Sequence, residues 1–143
     1  MRLRARSTIG FKEGLRHGAT PNQLRIEIRT RSRSRVVIDG EWIFVSGTTG
    51  FDYSTMTISD NLLDQTEQTL KNIQSALRQA GADFADAVRV NYIVPKDERF
   101  ADCWPVLRKY FGASRPAMTL ISAGLLDPRM QIEIEVTARV SAA

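Results

Sequence analysis

The sequence predicts a two-layer α+β domain in which one sheet packs against two helices on a single face. Apolar residues alternate with period two in several segments and recur every three or four residues in two others. Together these segments give the order of three strands, a helix, a strand, a helix and two strands. The chain has 143 residues, of which 43% are hydrophobic and 25% charged, as expected for one globular domain.

Three strands open the domain. Residues 24–28 alternate between aliphatic and charged side chains, which is the pattern of a strand with one buried face. Residues 36–38 and 42–45 are β-branched or aromatic runs on either side of Asp39-Gly40. Because Asp-Gly between two such runs is a strong hairpin signal, we expect the second and third strands to form a hairpin.

The hydrophobic period then changes to that of a helix, and residues 60–80 are expected to form about five turns. The residues that recur on one face are Leu63, Thr66, Leu70, Ile73, Leu77 and Ala80. Ser59 is the expected N-cap, and Gly81 is the expected end. A second helix is expected over residues 97–111, where Pro105 should kink it or delay its start.

The remaining strands follow these helices. Residues 88–94 predict a strand that Pro95 ends, with Val88, Val90, Tyr92 and Val94 on one face. Residues 117–122 and 131–140 predict the last two strands. In the final strand one face is expected to carry Ile132, Ile134, Val136, Ala138 and Val140.

Charge divides the chain into a basic arm and an acidic body. Residues 1–35 carry a formal charge of +8, and the rest of the chain carries −4. We expect residues 1–21 to be a loosely ordered arm and residues 22–143 to be one domain. The arm has three interpretations: a handle for nucleic acid or an anionic surface, a transit peptide, or a solvated extension with no specific role. The last is favoured.

The sequence lacks the residues that several classes of catalytic chemistry require. Cys103 is the only cysteine, so no internal disulfide is expected, and no histidine in the domain would activate its thiol. His17 lies in the arm without ligand partners, which disfavours metal chemistry. Residues 46–50 lack the ending of a phosphate loop. No apolar run approaches the roughly 18 residues of a membrane span, and a cytoplasmic setting is expected.

Five segments, spread between Ser34 and Ala138, resemble those of the Rid family of reactive intermediate deaminases, also called the YjgF or L-PSP family. They are WIFVSG at 42–47, QTEQTLKNI at 65–73, AGA at 80–82, SRPA at 114–117 and IEIEV at 132–136. The resemblance implies a chorismate-mutase-like fold with a mixed six-stranded sheet and two helices on one face. It also implies a homotrimer with active sites in clefts between subunits.

The resemblance assigns roles to particular residues. Arg115 matches the arginine that binds a substrate carboxylate, and Glu133 matches the glutamate that positions the attacking water. Ser46 matches a hydroxyl that contacts the ligand, Gly47 allows close backbone approach, and the backbone N–H of Ala117 is a further donor. Glu135 is expected on the same strand face as Glu133, and two glutamates on a wet face are also a common structural pattern.

Three positions depart from the family pattern. Arg33 stands in place of a tyrosine, Trp104 in place of an asparagine, and Ala117 in place of a cysteine. The expected pocket is therefore more basic and more aromatic, and it lacks that thiol. If Trp104 lines the cleft, bulkier or aromatic substrates should be preferred; the alternative is that Trp104 only packs in the core.

The function expected from this resemblance is that of an enamine/imine deaminase. It would hydrolyse 2-aminoacrylate-type intermediates to 2-oxo acids and ammonia, with a small-molecule carboxylate as substrate and with no cofactor. Two alternatives are a non-catalytic trimer that binds small carboxylates, and an RNA-binding, endoribonuclease-like L-PSP protein. RNA ranks lower because the sequence lacks an aromatic-interleaved basic platform and an acid/base pair for phosphodiester cleavage.

Overall fold

The computed structural model describes residues 25–30 and 33–141, with side chains from residue 34 onward. The predicted arm, including His17, lies outside the described residues. The strands are β1 Arg25–Thr30, β2 Arg33–Asp39, β3 Trp42–Thr49, β4 Phe51–Asp52, β5 Thr57–Ile58, β6 Ala87–Val94, β7 Ala117–Ser122 and β8 Glu133–Arg139. The helices are α1 Leu62–Gln79 and α2 Trp104–Phe111, with 3₁₀ turns at Phe84–Asp86 and Asp97–Cys103.

Six of the strands form one mixed sheet in the order β1-β2-β3-β8-β6-β7. The β6–β7 pair is parallel, and every other neighbouring pair is antiparallel. The predicted six-stranded mixed sheet and its element order are confirmed. The short β4–β5 hairpin was not predicted, and it forms a second, two-stranded sheet.

Both helices pack on one face of the six-stranded sheet, and a single hydrophobic core lies between them and the sheet. Strand alternation turns other side chains to the opposite surface, here called the open face. In β3, β6, β7 and β8 the open face carries Trp42, Phe44, Arg89, Asn91, Ile93, Ala117, Thr119, Ile121, Glu133, Glu135 and Thr137. This face is therefore polar along β8 and apolar toward β3.

Helix α1 begins two residues later than predicted, and Ser59 is not its N-cap. Asn61 takes that role, since its Oδ1 accepts hydrogen bonds from the backbone N–H groups of Leu63 (2.8 Å) and Asp64 (3.1 Å). The first turn buries Leu62 in place of the predicted Leu63, which is 39% exposed, whereas Thr66, Leu70, Ile73 and Leu77 are buried as predicted. Gly81 follows the helix with φ +80, which confirms the predicted end.

Pro105 delays the second helix, as predicted. The chain forms a 3₁₀ turn over Asp97–Cys103, and α2 begins at Trp104 with the proline in its first turn, where no N–H partner is needed. Glu67 then fastens α2 to α1, because its Oε1 accepts hydrogen bonds from Lys109 Nζ (2.9 Å) and from the hydroxyl of Tyr110.

The predicted alternation of β6 fails at its first residue. Ala87 is buried and Val88 is 41% exposed, because the register between β6 and β8 shifts between Ala87 and Arg89. The extra residue of such a bulge moves the side chains before it to the other face. From Val90 onward the alternation is as predicted.

Candidate functional site

A bulge in β3 shapes one end of the open face. Val45 pairs with Val136 of β8, but the next pair joins Thr48 to Ile134, so β3 holds one extra residue at Ser46-Gly47. The hydroxyl of Thr48 donates to the carbonyl of Ser46 at 2.8 Å and stabilises this distortion. Bulges of this kind redirect side chains and commonly lie beside functional sites.

The hydroxyl of Ser46 is already engaged with the main chain. Its oxygen lies 2.7 Å from the carbonyl oxygen of Ser34 and 2.9 Å from that of Arg35. A hydroxyl has one proton and two lone pairs, so these carbonyls share the proton and the lone pairs stay available. Ser46 is therefore equipped to accept a hydrogen bond from a ligand N–H rather than to donate one to a carboxylate.

Glu133 lies directly against Gly47. A Cβ atom built on Gly47 would be 2.1 Å from Glu133 Oε1, a separation that no side chain could occupy. The backbone position of Glu133 is set by its pairing with Thr49 on β3 and Ile93 on β6. Gly47 and Glu133 are thus in contact, and Ser46 is the residue before Gly47 in the bulge; we call these three residues the glutamate end.

Glu135 shares the open face with Glu133, as the alternation predicted. Its Oε2 accepts a hydrogen bond from Asn91 Nδ2 at 3.2 Å. The two glutamates therefore differ in surroundings: Glu135 pairs with an amide side chain in the middle of the sheet, whereas Glu133 meets the β3 bulge.

Arg115 lies in the connection between α2 and β7 in a strained backbone conformation. Its φ is +47, in the left-handed region, and its N–H donates to the carbonyl of Phe111 at 2.9 Å. A non-glycine residue there costs about 1 kcal/mol. Its side chain is exposed and makes no ion pair within the described part of the chain. Strain of this kind is often retained at functional positions.

Arg115 borders a cavity of about 310 Å³ between α2 and β7, which we call the α2–β7 groove. The residues that line it include Val90, Tyr92, Trp104, Leu107, Phe111 and Met118, together with Arg108 and Arg115. Trp104 is half-buried against the core, with its ring 5.4 Å from that of Phe100, and it also faces this groove. Arg108 was not singled out from the sequence, although it lies four residues after Trp104 on the same helix face.

The structure does not bring Arg115 and Glu133 together within one chain. Glu133 pairs with Ile93, and Ile93 pairs with Ile121 on β7, four residues beyond Ala117. At the usual strand rise and spacing, the Cα atoms of Ala117 and Glu133 are about 16 Å apart, and Arg115 precedes Ala117. The groove also lies on the helix side of the sheet, whereas Glu133 lies on the open face.

Two other predicted site residues, Ala117 and Arg33, each lie at the beginning of a strand. Ala117 begins the edge strand β7, pairs with Arg89 and is exposed. The backbone of Arg33 begins β2, and its side chain lies outside the described residues, so its role stays a prediction.

A larger cavity of about 640 Å³ lies between the start of α1 and the β7–β8 connection. Two of its cations are engaged by acids, since Arg129 pairs with Asp127 (2.7 Å) and Arg99 with Asp102 (3.4 Å). The hydrogen bonds from Arg129 lower the pKa of Asp127 to about 2. None of the site residues predicted from the sequence lines this cavity.

Other reactive groups stay outside the site. Cys103 is fully buried with its Sγ 3.4 Å from Thr66 Oγ1, and burial raises the pKa of its thiol. Among the described residues, no group of three or more His, Cys, Asp or Glu side chains is placed to hold a metal ion. Within the same residues, no helix is long and apolar enough to cross a membrane.

Comparison with known proteins places these features in a family. The family model described as Endoribonuclease L-PSP matches residues 23–140. A RutC family protein from Pyrococcus horikoshii is 32% identical over 106 residues, covering 73% of this chain and 84% of that protein. A human protein named 2-iminobutanoate/2-iminopropanoate deaminase is 28% identical over 106 residues, covering 73% of this chain and 77% of that protein.

A solved structure agrees with the sequence comparisons. The crystal structure of a YjgF/YER057c/UK114 family member from Mycobacterium tuberculosis is 32% identical and superposes with a TM-score of 0.72. The match covers 81% of this chain and 99% of that one. The chain therefore belongs to the L-PSP family, whose members are also called Rid or YjgF proteins.

Proposed function

We propose that this protein is an imine deaminase that converts 2-imino acids, formed from 2-aminoacrylate-type enamines, to 2-oxo acids and ammonia without a cofactor. The observation that carries the proposal is the glutamate end, where the Glu133 carboxylate lies against Gly47 and the preceding residue, Ser46, has a hydroxyl able to accept a hydrogen bond from an N–H group. The deaminase name of the human relative supports the same reaction class.

The protein has only to position water and transfer protons, because an imine carbon is already electrophilic. Glu133 orients a water molecule and takes one of its protons as the oxygen bonds to that carbon. Glu133 passes that proton to the imine nitrogen, which gives a carbinolamine. It then takes the proton of the new hydroxyl group and passes it to the nitrogen, so that the C–N bond breaks, ammonia leaves and the carbonyl of the 2-oxo acid forms. The Ser46 hydroxyl positions the nitrogen by accepting a hydrogen bond from its N–H group.

Arg115 supplies the other half of the site by binding the substrate carboxylate. A guanidinium offers two parallel donors that match a carboxylate, and it stays charged at any working pH. Because Arg115 makes no ion pair within the described part of the chain, no partner there has to be displaced first.

The separation of the two halves requires a second copy of the chain. We propose a homotrimer in which Arg115 of one subunit and Glu133 of its neighbour complete each site. Arg115 precedes β7, an edge strand that a neighbouring subunit can approach. The open face carries Trp42 and Phe44 with 41% and 46% exposure, apolar surface that an interface would bury.

A second candidate function, binding of small carboxylates without turnover, is favoured by one observation. The α2–β7 groove has two arginines and no acidic side chain among its lining residues. This function needs Arg115 but not Glu133, so the two candidates make different predictions for the glutamate.

The direct experiment generates 2-aminoacrylate with a pyridoxal-dependent lyase and measures ammonia release with and without the protein. Deaminase activity predicts faster release, lost in both Arg115→Ala and Glu133→Gln and kept in Arg99→Gln, whose side chain lies outside the site. Equal rates with and without the protein would contradict the proposal. The binding function predicts a different result. The wild type and Glu133→Gln should bind small carboxylates, Arg115→Ala should not, and none of the three proteins should show turnover.

A further inference from the structure

The α2–β7 groove presents a helix face with a regular pattern. Trp104, Leu107, Arg108 and Phe111 are spaced by three, four and seven residues, so they lie along one side of α2. Leu107 and Phe111 are buried in the core, and Trp104 is half-buried, so this side of the helix is apolar where it meets the groove.

The opposite wall of the groove is apolar as well. Val90 and Tyr92 of β6 are buried beneath it, and Met118 of the edge strand β7 is 44% exposed beside it. A concave surface of this composition, open to solvent, is typical of sites that take the apolar part of a small ligand. Its volume of about 310 Å³ is at the small end of such sites and fits one ring or a branched aliphatic chain.

The charges around the groove are all of one sign. Neither Arg108 nor Arg115 makes an ion pair with a described residue, whereas the adjacent Lys109 is paired with Glu67 at 2.9 Å. Two uncompensated guanidiniums beside an apolar cavity complement a molecule with an anionic end and a hydrocarbon body.

We propose that the α2–β7 groove is the subsite for the substrate's side chain, and that the substrates are 2-imino acids with a large branched or aromatic side chain. Arg115 holds the carboxylate at the mouth of the groove, and Arg108 adds a second positive charge beside it. Trp104 is then the residue that selects for size, by offering a flat apolar wall. This inference rests on the proposed role of Arg115 in carboxylate binding.

The test measures binding of unreactive 2-oxo acids, so it does not depend on turnover. Titration calorimetry of the full-length protein compares pyruvate, 4-methyl-2-oxopentanoate and phenylpyruvate at fixed ionic strength. We expect phenylpyruvate to bind at least about tenfold more tightly than pyruvate, with the branched acid between them. Equal affinities for pyruvate and phenylpyruvate would overturn the inference.

Variants locate the effect in the groove. Trp104→Asn should remove most of the preference for phenylpyruvate while pyruvate affinity changes little, and Tyr53→Phe, at an exposed ring between β4 and β5, serves as the aromatic control outside the groove. Arg108→Gln should weaken all three acids several-fold, and Arg99→Gln should not. Met118→Ala provides a second groove variant in case Trp104→Asn fails to fold, and retention of the full preference in both groove variants would contradict the inference.

The two proposals fail in different ways. If the preference for bulky acids is found but the protein accelerates ammonia release from neither 2-aminoacrylate nor the imine of phenylpyruvate, the groove still binds bulky side chains and the deaminase proposal is wrong. If ammonia release is accelerated but the affinities do not depend on the side chain, the deaminase proposal holds and the groove assignment is wrong.

Discussion

The glutamate end and the α2–β7 groove lie on opposite faces of the same sheet, and they are built differently. The glutamate end is polar and tightly packed: a strand bulge, a glycine and two main-chain carbonyls define the places of Ser46 and Glu133. The groove is apolar and open, with two arginines at its border. The first arrangement suits the positioning of reacting atoms, and the second suits recognition of a whole ligand.

The largest change in turnover from adding a single methyl group is expected at Gly47, where the glutamate end has no room for another atom. In Gly47→Ala the new methyl group would lie 2.1 Å from Glu133 Oε1, so the carboxylate must move. Because the clash involves the far end of a flexible side chain, the fold should survive while turnover falls by about 100-fold, the cost of a misplacement near 1 Å. Ammonia release and thermal unfolding measure the two quantities.

Gly124→Ala is the matched control for this substitution. A Cβ atom on Gly124 meets nothing within 4 Å, so both activity and stability should stay at the wild-type level. Full activity in Gly47→Ala would show that the position of Glu133 does not matter to the reaction.

At Arg115, two substitutions that both remove activity should differ modestly in stability. Arg115→Gly and Arg115→Ala both lose the guanidinium, and both should lose turnover. Only glycine adopts φ +47 without a Cβ penalty, so the glycine variant should be more stable than the alanine variant by about 1 kcal/mol. Chemical denaturation of the two variants gives this difference directly, and equal stabilities would mean that the backbone there is not strained.

A stability effect of similar size concerns the junction that holds α2 in place. Tyr110→Phe removes the hydroxyl that donates to Glu67 and should lower the free energy of unfolding by about 1 kcal/mol at pH 7. Burial opposes the charged form of Glu67, but hydrogen bonds from Tyr110 and Lys109 outweigh it and hold the pKa of this carboxyl below its usual range.

The pH dependence of that effect follows from the sign of the shift. A carboxyl with a lowered pKa in the folded state stabilises the fold above its unfolded pKa, and the contribution is lost as pH falls through the folded pKa. The difference between wild type and Tyr110→Phe should therefore shrink below about pH 4. Tyr53→Phe, at an exposed ring, should show no such dependence, and a constant gap for Tyr110→Phe would contradict this account.

Hydrophobic period predicted most of the fold because it reports which side of each element is buried. The order of the elements, the end of α1 shortly before Gly81 and the delayed start of α2, with Pro105 in its first turn, all follow from local chemistry. The exceptions are single positions that the period does not predict. The bulge after Ala87 exposes Val88, and the first turn of α1 buries Leu62 in place of Leu63.

The candidate site was less accessible to sequence reasoning, because its key properties depend on pairing between distant segments. Motif position singled out Arg115 and Glu133, but strand register places them about 16 Å or more apart. The contact between Gly47 and Glu133 arises only when β3 and β8 are neighbours. The strain at Arg115 has no signature in composition or spacing.

The central claim is that each site combines Arg115 of one subunit with Glu133 of another. Arg115→Ala and Glu133→Gln proteins, each inactive alone, are unfolded together, refolded as a mixture and assayed for ammonia release. Sites shared between subunits predict recovery of up to about one quarter of the wild-type activity, since random assembly gives that fraction of sites both native residues. A mixture as inactive as its separate components would contradict the claim.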